Sequence, residues 1–81
     1  MEIRDILAHN LKHYRNVRGL SQEELAHRAD IDRTYISALE RKIYAASIDV
    51  VERLAIVLSV TTADLLREPE RPLKTSETSQ D

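Results

Sequence analysis

The chain has 81 residues, no cysteine, one glycine and a formal net charge of −2 at pH 7. That length allows one domain, near the small end of what folds unaided, and the missing cysteines exclude disulfides and thiolate metal sites. No apolar run approaches the roughly 20 residues of a membrane span, and the polar N-terminus has no signal-peptide core, so a soluble cytoplasmic protein with no membrane partner is expected.

The charge is unevenly spread. Residues Met1 to Arg67 carry ten Lys and Arg against ten Asp and Glu, whereas Glu68 to Asp81 carries two against four. The whole deficit belongs to the tail. Arg15, Arg18, Arg28, Arg33, Arg41 and Lys42 crowd into one interval, and a local basic face of this kind is the electrostatic footprint of a polyanion binder. A solvated mixed-charge surface is the plainer alternative.

Ile3, Ile6, Leu7, Leu11, Tyr14 and Val17 recur at helical spacing and predict a first helix over about residues 2–18. Gly19 stands where a left-handed C-terminal cap is wanted. Ser21-Gln22-Glu23-Glu24 is a capping box that starts a second helix, with Leu25, Ala26 and Ala29 turned inward. Asp30 tolerates the left-handed turn, and Asp32 caps a third helix that runs to about Arg41. After a loop, Ser47 caps a fourth helix to about Ser59, expected to bury Ile48, Val51, Ala55 and Leu58. Thr61-Thr62-Ala63-Asp64 opens a short fifth helix ending near Arg67. Residues 68–81 are polar, proline-interrupted and nearly without apolar anchors, and are expected to be disordered. The expected fold is all-α: one five-helix domain over residues 1–67 followed by a polar tail.

Helices two and three form a helix-turn-helix pattern, which is built to lay its second helix in the DNA major groove. At about 100° per residue, Ile36 and Leu39 define the buried side of the third helix, and Ile31 plugs the turn before it. Thr34, Ala38 and Arg41 then point away from the core, with Arg33, Tyr35 and Ser37 on the flanks. An arginine can fork onto the guanine edge, and hydroxyls or the threonine methyl can read neighbouring bases. Ala38 would let the helix approach closely, and Tyr35 would touch a phosphate or a thymine methyl. An ordinary amphipathic surface helix would also expose polar residues here.

The stretch Leu11 to Leu66 resembles the lambda-repressor-like helix-turn-helix regulators of the Cro and Xre type. The matching pieces are Arg15, Gly19-Leu20-Ser21-Gln22-Glu23-Glu24-Leu25-Ala26, Ile36-Ser37, Leu39-Glu40-Arg41, Leu54-Ala55 and Ala63-Asp64-Leu65-Leu66. Asp32 to Ser37 is similar to the recognition-helix start of restriction-modification controller proteins. The resemblance implies that Ser21 and Gln22 lie at the DNA-facing start of the second helix, Gln22 on a phosphate. It places Arg33, Thr34, Tyr35, Ser37 and Ala38 at the bases or their flanking phosphates. Arg41 and the loop with Lys42 and Tyr44 would hold the backbone, and Arg15 with Glu40 would form an internal ion pair. Lys42 replaces a usual glycine, which predicts a lengthened or reshaped cap on the third helix. Tyr44-Ala45 replaces an Arg-Asn type of pair, which removes phosphate contacts.

His9 and His13 lie four apart on the first helix, but no third ligand of suitable type lies near, so solvated histidines are expected. His27 with Ser21 or Asp30 cannot converge on a cleft as a hydrolase set. No catalysis and no cofactor are expected. Val57, Val60, Leu65 and Leu66, with Val50 and Ile56 nearby, form a second apolar surface. Two readings of it stay open: a fourth helix buried on both sides, or a homodimer seam, which a small DNA reader needs. The expectation is a dimeric transcriptional regulator on palindromic double-stranded DNA, acting by occlusion of, or contact with, RNA polymerase. An antitoxin-like or adaptor protein that works through protein binding is the alternative of another class.

Overall fold

A computed structural model describes residues 2–69; the part of the expected disordered tail from residue 70 onward lies outside them. Five helices follow in order: α1 (Ile3–Val17), α2 (Gln22–Ala29), α3 (Arg33–Glu40), α4 (Ile48–Leu58) and α5 (Thr62–Leu66). No strand occurs among the described residues, and the fold is all-α. Helix α1 packs on α3, α4 and α5, while α2 lies between α3 and α4. One core joins them, with Leu11, Leu25, Ile36, Leu39, Leu54, Leu58 and Leu65 fully buried.

Local chemistry sets the starts of α2 to α5, whereas Glu2 makes no side-chain cap on α1. Ser21 and Thr61 complete capping boxes with Glu24 and Asp64, and Asp32 and Ser47 cap α3 and α4 through single side-chain bonds. The ends share one device. Gly19, Asp30, Lys42 and Ser59 all take positive φ, between 58° and 70°. The apolar residue that follows each, Leu20, Ile31, Ile43 or Val60, donates its N–H back to Arg15, Ala26, Ala38 or Ala55. This is the Schellman closure, in which a left-handed residue and an apolar successor satisfy the last carbonyls. The cap on α3 is therefore neither lengthened nor reshaped: Lys42 adopts the conformation usually given to glycine.

Two polar side chains tie helix ends to α1, one from inside the bundle and one from its surface. The buried Asn10 donates Nδ2 to the Leu65 and Arg67 carbonyls at 2.8 Å each and to that of Asp64 at 3.3 Å, fastening the end of α5 to α1. Arg18 Nε donates to the Leu58 carbonyl at 2.8 Å and closes the end of α4.

Its helical period puts Ile48 in the core, yet it is 85% exposed. The inward face of α4 is instead Val51, Leu54, Ala55 and Leu58, and Ile48 stands at the rim of an open groove beside Ile3 and Leu66. Leu65, placed on the second apolar surface, is fully buried. Val57 and Val60 are half-buried and pack against the core.

Candidate nucleic-acid interface

The turn between α2 and α3 is short because Asp30 reverses the chain in one residue and Ile31 seats its side chain against the core. That geometry brings the start of α2 beside the first two turns of α3. Gln22, Arg33, Thr34 and Ser37 line one open cleft of about 170 Å³. All four offer hydrogen-bond donors, and Arg33 adds a charge that has no partner among the described residues. The Asp32 carboxylate accepts the Thr34 N–H at 2.8 Å, which fixes where α3 begins and so where Arg33 and Thr34 stand.

Behind this cleft lies the ion pair. Arg15 Nε donates to Glu40 Oε2 at 2.7 Å and Arg15 Nη2 to Oε1 at 3.0 Å. Their side chains are only 12% and 5% exposed. The third guanidinium nitrogen, Nη1, donates to the Leu20 carbonyl at 2.8 Å. The hydrogen bond to Glu40 holds the Arg15 pKa above its ordinary value, against the opposing effect of burial. Glu40 Oε1 also accepts from Gln22 Nε2 at 3.0 Å. One carboxylate thus ties α1, α2 and α3 together directly beneath the cleft.

The remaining residues expected at this face divide. Arg41 is exposed and bonds back to the Ser37 carbonyl through Nε at 3.3 Å. The half-buried Tyr35 packs on the exposed Tyr44, ring centroids 6.0 Å apart. Ser21 is exposed, its hydroxyl accepting the Glu24 N–H at 3.0 Å as a cap. Lys42 reaches away to Asp5 at 3.6 Å. Ala38 does not face outward as expected; it is buried. Its methyl is short enough to be covered where the chain turns back after α3 and the Ile43 N–H bonds the Ala38 carbonyl. The basic cluster also thins: Arg15 is turned to Glu40 and Arg18 to the Leu58 carbonyl, which leaves Arg28, Arg33, Arg41 and Lys42 as its outward charges, the last beside Asp5.

Elsewhere, the rings of His9 and His13 lie nearly parallel at 6.5 Å. Among the described residues no three His, Cys, Asp or Glu side chains are grouped to hold a metal ion, and no helix is long and apolar enough to cross a membrane. A second, apolar groove of about 340 Å³ runs between the start of α1, the loop before α4 and α5, with Ile3, Leu7, Ile48, Val51 and Leu66 in its walls. Of these, Ile3, Ile48 and Leu66 are large and exposed.

The helix-turn-helix family model matches residues 11–65. Over 80 residues the chain is 40% identical to the Neisseria hypothetical transcription factor of Neisseria meningitidis, an alignment spanning 99% of this chain and 76% of that protein. It is 41% identical over 66 residues to control protein C.SmaI of Serratia marcescens, spanning 82% and 79% of the two. The solved structure of SinR, the master regulator for biofilm formation, in complex with DNA matches with a TM-score of 0.73 at 34% identity, over 75% of this chain and 98% of that one.

Proposed function

The chain belongs to the helix-turn-helix family of transcriptional regulators, and from that premise we propose that it reads a palindromic operator as a homodimer. The observation that carries this reading is the open, donor-rich cleft of Gln22, Arg33, Thr34 and Ser37 at the junction of α2 and α3. Phosphates supply acceptors along the duplex, and the major groove presents base edges that an arginine fork can read. Arg33 reads a guanine, Thr34 and Ser37 touch neighbouring bases, and Gln22 and Arg41 hold phosphates. Tyr35, propped by Tyr44, presses on the flank of the site. Lys42 and Ala38 leave the contact set, since one pairs with Asp5 and the other is buried.

The seam between the two copies runs through the apolar groove, with Leu66, Ile48 and Ile3 meeting their symmetry mates. Bound there, the dimer blocks or touches RNA polymerase. Control of a restriction-modification system is the second reading, favoured by the identity to control protein C.SmaI and by the wording of Asp32 to Ser37.

Selection of bound duplexes from a random-sequence DNA library tests the reading. The expected product is a consensus with two inverted half-sites whose centres lie about one helical turn apart. Recovery of no consensus, together with a protein partner that co-purifies without DNA, would favour an adaptor role instead.

A further inference from the structure

We propose that Glu40 is a positioning residue for DNA contact: its carboxylate, clamped by Arg15, holds the Gln22 amide so that the remaining Nε2 hydrogen meets a phosphate oxygen in the cleft. This rests on the DNA-binding reading above.

The chemistry of the pair dictates the orientation. An ionised carboxylate only accepts hydrogen bonds, so it takes the nitrogen end of the amide and never the carbonyl end. Gln22 Nε2 lies 3.0 Å from Glu40 Oε1, which itself accepts from Arg15 Nη2. One Nε2 hydrogen is thereby used, and the other is left to the cleft that Gln22 shares with Arg33, Thr34 and Ser37. A free glutamine would have to lose several rotamers on binding. Held this way, it meets the DNA already ordered, which reduces the cost of association. Arg15 makes the arrangement compatible with a polyanion. Its bidentate contact cancels the Glu40 charge, so a carboxylate stands behind a phosphate contact without repelling the phosphate.

The experiment compares Gln22→Asn, Gln22→Ala, Glu40→Gln and the Glu40→Gln/Gln22→Ala pair in the full chain. Fluorescence anisotropy gives their affinities for the library-selected duplex and for a shuffled one, and denaturant titration checks their folding. Asparagine keeps the amide but is one methylene too short to reach Glu40, and it leaves the Arg15–Glu40 pair intact. It is expected to lose as much as alanine, about tenfold on either duplex, while both variants stay folded under the binding conditions and unfold at the same midpoint as each other. In the Glu40→Gln background, Gln22→Ala is expected to cost less affinity than in the unmutated chain, because the amide is no longer held in place.

A third readout needs no DNA: one side-chain amide proton of Gln22 should lie downfield of the range of exposed glutamines and exchange slowly with solvent, and it should return to ordinary values in Glu40→Gln. Wild-type affinity in Gln22→Asn, additive losses in the pair, or Gln22 amide protons with the shifts and exchange of an exposed glutamine in the unmutated chain each overturns the proposal. Should Glu40→Gln fail to fold, the asparagine comparison and the amide signature of the unmutated chain still decide. A chain that binds neither duplex sinks the DNA reading and this proposal with it, and the amide signature then reports whether Glu40 nonetheless holds Gln22.

Discussion

Arg33 is the one exposed guanidinium in the cleft, at the first position of α3, where Asp32 fixes the start of the helix. If it forks onto a guanine, Arg33→Ala relaxes specificity at one position in each half-site by about 1–3 kcal/mol and leaves the others intact. Competition binding against single-base variants of the selected duplex checks this, and equal losses on shuffled DNA would remove Arg33 from the reading set. Glu40 tests a different property. Its side chain is 5% exposed and faces a guanidinium that is 12% exposed. Glu40→Ala strands that charge and should destabilise the fold by about 3–5 kcal/mol, far beyond the cost of a surface pair. An unchanged denaturant midpoint would contradict this. The residues most visible in the sequence were those whose role follows from type and local spacing, such as Ser21 and Asp32. Asn10 and Arg18 were not, because their acceptors are backbone carbonyls 40 to 57 positions away, and no periodicity marks a carbonyl left open by another helix.

At the scale of elements, four helices end on a left-handed residue and only one of the four is glycine. A side chain in that conformation costs about 1–2 kcal/mol, and glycine gives back about 0.4–1 kcal/mol in the unfolded chain. Ser59→Gly and Lys42→Gly should each stabilise the fold by about 0.5–1 kcal/mol in thermal or denaturant melts. Loss of the Lys42–Asp5 pair, exposed on both sides, subtracts little. A destabilised Ser59→Gly would show that the turn is set by contacts of the side chain rather than by φ. The capping boxes predict a pH dependence. Glu24 and Asp64 have lowered pKa values, caused first by the backbone N–H of Ser21 and of Thr61 respectively. A lowered folded pKa stabilises above the unfolded value of about 4 and is lost as the pH falls through the folded one. Melts between neutral pH and pH 2 should therefore show stability falling on the acid side, with a shallower fall in Glu24→Gln/Asp64→Asn. Helix starts and stops were legible because caps are local. Burial was less so: Ile48 and Ala38 were both assigned to the wrong side. Period gives the face of a helix, whereas the cover over that face comes from a neighbour or from the chain turning back.

For the whole molecule, five helices around one core follow from the apolar pattern, and the family match over residues 11–65 agrees with it. What pattern alone could not supply is which leftover apolar surface is truly bare. Leu65 is used up inside, and Val57 and Val60 are half-spent on the core. Of the exposed large apolar side chains, which include Val17, Ile43 and Ile56, only Ile3, Ile48 and Leu66 are grouped around one groove. One recognition helix in a major groove reads only a few base pairs, too few to select a site against a genome of competitors. The proposed function therefore depends on two copies, and substitution of Leu66 or Ile48 by glutamate should yield a folded monomer with greatly weakened operator binding. Sedimentation velocity of the chain mixed with the library-selected duplex measures this most directly. The account predicts two chains per duplex, a complex that dissociates as salt is raised and does not form on shuffled DNA at the same concentration, and a dimer of the free chain at tens of micromolar. A single chain per duplex, or the same complex on shuffled DNA, would contradict it.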